Sequence, residues 1–288
     1  MSEPDAAAYG AVLRSDVLVH APPRTVAGVL RSTAAAAAAL ERGGHQFTAP
    51  GALLVEGDVV RLATRVLPGL RVPVRTRVTR IDADGMASVL ATGPLPALAH
   101  VVTLTPTSVG TCVRDELRWT SPFGSLGRLA DRLLLRRLLQ VVLAARAEVL
   151  TARAERLAAA AVVVAAAVVR DGRVLAAQRV RPPALAGRWE LPGGRVEAGE
   201  DEPAAVVREC REELGTELVV DGQMSTDVPI DVGVLRVYRA RLAPDASEPR
   251  AVDHLAIRWV DAAEATDLNW VDADRAVLAD LLRLLDGT

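Results

Sequence analysis

Glutamates at positions 209, 212 and 213 constrain this chain more than any other feature. Spaced three and four residues apart, they share one face of the segment if it is helical. With Glu200 just ahead of them, they would repel one another in the absence of a cation. Hard oxygen donors at that density suit Mg²⁺, with Mn²⁺ as an alternative, since the ion takes a few carboxylates together with water and substrate phosphate. The helix start is also written in. Asp201 and Glu202 supply acids for a positive N-terminus, and Pro203 suits the first turn. Val206, Cys210 and Leu214 form an apolar stripe that packs the helix and leaves the acids available, and Gly215 serves as the C-cap.

The full pattern is a glycine, five residues, Glu, seven residues, then Arg-Glu-apolar-x-Glu-Glu-x-Gly-apolar. Gly194, Glu200, Arg208, Glu209, Cys210, Glu212, Glu213, Gly215 and Thr216 carry it. It resembles the box of the Nudix family, with Cys210 and Thr216 as small departures at the apolar positions. A solvated Glu-rich surface helix is the competing explanation, and seven fixed residues at fixed spacing argue against it. The resemblance implies metal-assisted hydrolysis of a pyrophosphate linkage. Glu209, Glu212, Glu213 and the Gly193 carbonyl would then hold the metal. Arg208 would orient a box carboxylate through a charge-assisted pair, and Glu200 would support the ligands from behind. It also puts a further acid, as metal ligand or base, on the loop before the last strand. That position is Asp253, one carbon shorter than the glutamate usual there.

Around the box, residues 161–170 read as a strand, Asp171-Gly172 as a hairpin turn and 173–179 as the return strand. A loop at 182–187 leads through 188–192 to Gly193-Gly194, where backbone must approach phosphate or metal closely. Residues 217–220, 228–240 and 256–260 are strand-like, and a last helix spans 272–285. The order fits the α/β/α sandwich that the Nudix resemblance implies. Within that family the resemblance is to MutT-like nucleoside triphosphate pyrophosphohydrolases. It rests on Ala177-Gln178-Arg179, on residues 187–197 including Trp189-Glu190, and on Asp253-His254, Arg258-Trp259 and Trp270 to Asp274. The Pro- and aromatic-rich phrase that marks NADH pyrophosphatases is absent between Val219 and Val232.

Substrate-binding residues implied by the resemblance are Arg179, Glu190, Gly194, Arg195 and Asp274: Arg179 and Arg195 as phosphate contacts, with a solvated arginine the rival reading for each, and Asp274 for the base. MutT-like enzymes read oxidised guanine with a side-chain amide at the last position. An ionised Asp274 only accepts hydrogen bonds and would favour an exocyclic amine such as that of cytosine; a helix cap is the rival role for it. Trp270 reads as core or pocket wall. The implied reaction is water plus an NTP or dNTP to the monophosphate and pyrophosphate, as in sanitation of 8-oxo-dGTP or of (d)CTP and 5-methyl-dCTP. ADP-ribose is the alternative substrate. A ligand-controlled regulatory protein is the alternative class.

The chain has 288 residues, 50% hydrophobic and 24% charged, with a net charge of −2. That length accommodates two domains, and the balance fits a core-forming protein without a bias toward nucleic-acid backbone or anionic membrane. All 34 basic residues are arginine, the mark of a GC-rich genome. Cys112 and Cys210 are far apart in apolar patterns, which points to a reducing cytoplasm. The acidic, Ala-rich opening lacks the basic start of a signal peptide. The apolar run 157–169 is too short to span a bilayer.

In the first half, residues 16–21 alternate as a strand closed by Pro22-Pro23, and 24–40 read as one helix with an alanine run. Strand-like segments follow at 57–65, 70–81, 86–91, 99–105 and 111–120. A long helix is expected over 125–158, its apolar stripe starting at Leu126, Leu129, Leu133 and Leu134 and continuing through Leu138, Val142 and Val149. The strand-then-Pro opening at 17–23 and the 121–131 approach to the last helix resemble the START-like helix-grip family (SRPBCC, polyketide-cyclase-like), an α+β fold. That resemblance implies an apolar cavity for a small molecule, or a docking role. His20, His45 and His100 are scattered and read as surface or satisfied polar residues. Asp115 and Glu116 lie on a strand with no partner visible in the sequence. Arg128, Arg132 and Arg136 read as a solvated stripe. The expected division is a tail at 1–14, a helix-grip domain at 15–158 and an α/β Nudix domain at 159–288.

Overall fold

A strand that alternates apolar and polar side chains buries one face only, and the first unit is built from such strands. The computed structural model describes residues 9–67, 70–122 and 131–287. The chain divides into two compact units, Met1–Ala158 and Ala159–Thr288.

In the first unit seven antiparallel strands form one sheet in the order β1-β7-β6-β5-β4-β3-β2. They are β1 (Ala11–Val19), β2 (Gln46–Thr48), β3 (Val59–Leu67), β4 (Leu70–Asp82), β5 (Gly85–Thr92), β6 (Ala97–Thr107) and β7 (Gly110–Thr120). The helix expected over 24–40 is two helices, α1 (Pro23–Arg31) and α2 (Thr33–Arg42). Ser32 separates them. Its backbone is extended, it bridges Leu53, and its hydroxyl accepts from the Ala35 N–H at 3.2 Å as the cap of α2.

The last helix of the unit, α3 (Arg136–Ala158), packs on α1, α2 and β1. A π-helical turn at Asp131–Leu135 precedes it. The i→i+5 turn rotates the side chains out of α-helical register, so Leu134 is 63% exposed instead of continuing the apolar stripe. Leu138, Val142 and Val149 do face inward. Leu126, Leu129 and Arg128 lie outside the described residues, as do the side chains of Arg132 and Leu133. Between the sheet and the three helices lies a cavity of about 470 Å³, lined almost wholly by aliphatic side chains.

Alternation on β7 also decides where its acids go. Asp115 points inward, where His100 Nε2 meets it at 2.7 Å and Arg146 Nη1 at 2.8 Å. Glu116, on the other face, is held by Arg14 at 2.7 Å and by Arg118. Both acids therefore have partners, supplied by β1, β6, β7 and α3. His45 is buried, with Nδ1 accepting from the Arg65 N–H at 2.9 Å, and His20 is exposed.

The second unit is a mixed sheet centred on β8 (Val162–Arg170), which pairs in parallel with β14 (Gly233–Leu242). On β8, β11 (Gly193–Arg195) runs antiparallel, and β9 (Arg173–Gln178) returns through the Asp171-Gly172 hairpin. The rest are β10 (Trp189–Glu190), β12 (Leu218–Gln223), β13 (Val228–Ile230) and β15 (Ala256–Val260). The single strand expected over 228–240 is the hairpin β13–β14. Helix α4 (Glu202–Leu214) lays Val206, Cys210 and Leu214 on the sheet against Val164, Ala166 and Tyr238. Two helices, α5 (Ala262–Asp267) and α6 (Asp272–Asp286), end the unit. Both cysteines are free thiols. No described helix is long and apolar enough to cross a membrane.

Candidate active site

Helix α4 is fixed at both ends by the residues its sequence offers. Asp201 caps it by accepting from the Ala204 N–H at 2.8 Å, Pro203 occupies the first turn, and Gly215 closes it with φ 63°. With its apolar stripe buried, the opposite face turns Glu209 and Glu213 toward the start of β11.

Two glycines make that approach close. Gly193 has φ 153°, a conformation L side chains avoid, and an added Cβ would stand 2.1 Å from the Val164 carbonyl oxygen. At Gly194 a Cβ would stand 2.4 Å from the Glu209 carboxylate. Glu213 Oε2 accepts from the Gly193 N–H at 2.9 Å. Burial pushes the Glu213 carboxyl up to about 7; His254 and the Gly193 N–H oppose this, while the carboxylates of Glu190 and Glu209 add to it.

Arg208 ties the rest together. Its Nε and Nη2 meet both oxygens of Glu200 at 3.0 Å, and Nη1 meets Glu209 at 2.9 Å and Glu212 at 3.5 Å. Nη2 also donates to the Arg195 carbonyl at 2.9 Å. The bidentate pair holds the Glu200 carboxyl below the usual carboxylate range. Glu212 is 60% exposed and so is open to an incoming ligand. Among the described residues no three His, Cys, Asp or Glu side chains converge as a formed metal cage. The donor set nonetheless fits Mg²⁺: three carboxylates from one helix face beside a backbone that tolerates no side chain.

The structure does not join Asp253 to this cluster by any hydrogen bond. Its carboxylate, 55% exposed, pairs instead with Arg181 at 2.6 Å. Arg179 is engaged by Glu190, which also meets His254 Nε2 at 3.2 Å. Burial would depress His254, but the Glu190 hydrogen bond and the charges of Glu213, Glu190 and Asp253 outweigh it and raise its pKa. His254 was given no role from the sequence; its place after Asp253 in a buried acidic pocket is visible only once the chain is folded. The Arg195 side chain is exposed and forms no hydrogen bond among the described residues.

Asp274 is not the cap of α6; Val271 holds that position. The Asp274 side chain is buried, with Oδ2 accepting from the Leu191 N–H at 3.4 Å and Oδ1 lacking a partner among the described residues. Burial, with Glu190 nearby, pushes its carboxyl up to about 8. Trp270 is buried beside it and donates to the Ala265 carbonyl at 2.6 Å.

A family model described as the NUDIX domain matches residues 159–281. A Mycobacterium tuberculosis protein provisionally named 8-oxo-dGTP diphosphatase 2 is 54% identical over 125 residues, 42% of this chain and 87% of that protein. The chain belongs to the Nudix family. A second Nudix relative, the CTP pyrophosphohydrolase of Escherichia coli, is 37% identical over 118 residues, 41% of this chain and 87% of its own. The solution structure of the E. coli ORF135 protein is 34% identical, with a TM-score of 0.38 over 43% of this chain and 89% of its own. As a Nudix protein with its box glutamates in place, the chain is a hydrolase of phosphoric anhydride bonds.

Proposed function

We propose that the second unit is a Mg²⁺-dependent nucleoside triphosphate pyrophosphohydrolase that cleans the nucleotide pool. It converts an NTP or dNTP and water to the monophosphate and pyrophosphate. The observation that carries this is the complete box, with Glu200, Glu209, Glu212, Glu213 and Arg208 gathered around Gly193-Gly194. Bound Mg²⁺ would neutralise the phosphates and lower the pKa of the attacking water.

The chain's own residues do the rest. Glu209, Glu212 and Glu213, with the Gly193 carbonyl, offer the oxygens that hold the ion. Glu200 fixes the Arg208 fork, and Arg208 fixes Glu209. Gly194 keeps the approach open. Arg195 is available to a phosphate, whereas Arg179 reaches one only by sharing or leaving Glu190. Asp253 would serve as ligand or base only after releasing Arg181.

The names of the two relatives support 8-oxo-dGTP or (d)CTP-type substrates. Burial keeps Asp274 protonated at neutral pH, so it donates as well as accepts. It can then do the work of an amide, and the case for cytosine from an acceptor-only side chain falls away. The test is pyrophosphate release from 8-oxo-dGTP, dCTP, 5-methyl-dCTP, CTP and the common dNTPs, with ADP-ribose as a control. Turnover with Mg²⁺ should fall by roughly a hundredfold or more in Glu212→Gln. Equal rates in wild type and variant, or cleavage of ADP-ribose alone, would overturn the proposal.

A second proposal concerns the first unit, as a START-like helix-grip domain holding an apolar small molecule. The cavity of about 470 Å³ supports it, a size typical of small-molecule pockets.

A further inference from the structure

Among the polar side chains that line the cavity of the first unit, His45 accepts at Nδ1 from the Arg65 N–H, and His100 and Arg146 form a charged station around Asp115. Leu90, Leu139, Leu143, Val60 and Val78 are typical of the cavity wall, and His100 and Arg146 are its ionisable groups on the β6 and α3 sides. Both reach behind the wall to buried Asp115. Arg146 Nη1 lies 2.8 and 3.1 Å from the two Asp115 oxygens, and His100 Nε2 lies 2.7 Å from one of them. Burial alone would raise the Asp115 carboxyl; Arg146 and His100 outweigh it and hold it below the usual range.

An ionised carboxylate only accepts, so His100 must donate from Nε2, and its Nδ1 carries the lone pair when the ring is neutral. Arg146 spends one nitrogen on Asp115 and has no other acceptor for Nε and Nη2 among the described residues. Asp115 and Arg146 cancel in charge. An ionised guest would then need one further positive charge in an apolar chamber, where unpaired charge is costly.

We infer that the cavity binds a carboxylic acid with an apolar body, its carboxyl seated on Arg146 and His100. An acid group meets both requirements and offers two oxygens to the arginine. It accepts from the Arg146 nitrogens, and its hydroxyl can donate to His100 Nδ1 with the total charge of the chamber unchanged. An amine meets a donor-only arginine, and a hydrocarbon leaves that arginine's donors unmet. This inference rests on the reading of the first unit as a binder of apolar molecules.

Calorimetric titration of the full chain with decanoate, 1-decanol and decyltrimethylammonium tests it. Decanoate should bind one to one and on the order of tenfold more tightly than the ammonium compound. Arg146→Gln should weaken decanoate about tenfold and leave decanol unchanged. Equal affinity for all three, or equal loss for acid and alcohol in the variant, would overturn the carboxylate assignment while leaving an apolar cavity. Binding of none of them would overturn the cavity reading itself. Because Arg146→Gln strands buried Asp115, the double variant Asp115→Asn/Arg146→Gln is run beside it; it removes both charges together and should lose the same preference.

Discussion

Asp274 carries an unusual proton because the fold hides it. Its ordinary value is 3.8, and in the folded protein burial pushes it up to about 8. Between those values the folded state binds a proton that the unfolded state does not, so stability falls as pH rises from about 4 to about 8 and then levels. Asp274→Asn removes that contribution, worth at most about 1.4 kcal/mol per pH unit. Urea unfolding at pH 5, 6, 7 and 8 should therefore give the variant a flatter profile than wild type, with the gain largest at pH 8. Identical slopes would mean that the buried carboxyl ionises freely. Near pH 6 the amide and the protonated acid should also rank nucleotides alike. The identities and spacing of the box residues were legible in the sequence, because one helix fixes their geometry. The protonation of Asp274 was not, since it comes from burial in the folded unit and from Glu190, more than 80 residues away in the chain. The partners of Asp115 escaped for the same reason: one is across the sheet on β6 and the other on α3.

Elements end where side chains satisfy the backbone, and several such endings could be read directly. The start and stop of α4 follow from Asp201, Pro203 and Gly215. The reciprocal Asp261–Glu264 box that opens α5, at 2.9 and 3.1 Å, is present in the sequence as Asp-x-x-Glu, but a helix of six residues is too short for an apolar periodicity to mark it. Ser32 was hidden by the alanine run, whose propensity favours unbroken helix; the bridge to Leu53 breaks it. The β13–β14 hairpin was hidden inside an apolar stretch, where Asp231-Val232-Gly233 is the turn signal. At this scale the cap of α4 gives the clearest prediction. Asp201→Ala should cost about 1 kcal/mol in urea unfolding of the second unit. Glu209, Glu212 and Glu213 sit two or more turns further along, so activity per folded molecule should hold. No loss of stability would mean that the Ala204 N–H finds water as good a partner.

Each unit has a core of its own among the described residues. One gathers Leu13, Leu117, Trp119 and Leu143 in the first unit. The other gathers Val164, Val206, Leu214 and Tyr238 in the second. A cooperative transition reflects a shared core, so each unit should melt with its own midpoint. Scanning calorimetry of the full chain should resolve two transitions, or one whose calorimetric enthalpy exceeds the van't Hoff value. Ligands then assign them. A non-hydrolysable nucleotide with Mg²⁺ should raise the transition of the second unit, and decanoate that of the first, each by mass action on the folded form alone. At a hundredfold excess over its dissociation constant, either ligand adds about 2.7 kcal/mol to its own unit. A single transition with matching enthalpies, raised as a whole by either ligand, would refute independent units. It would show instead that the two units unfold as one cooperative body, with either ligand raising the common transition by mass action on the folded form.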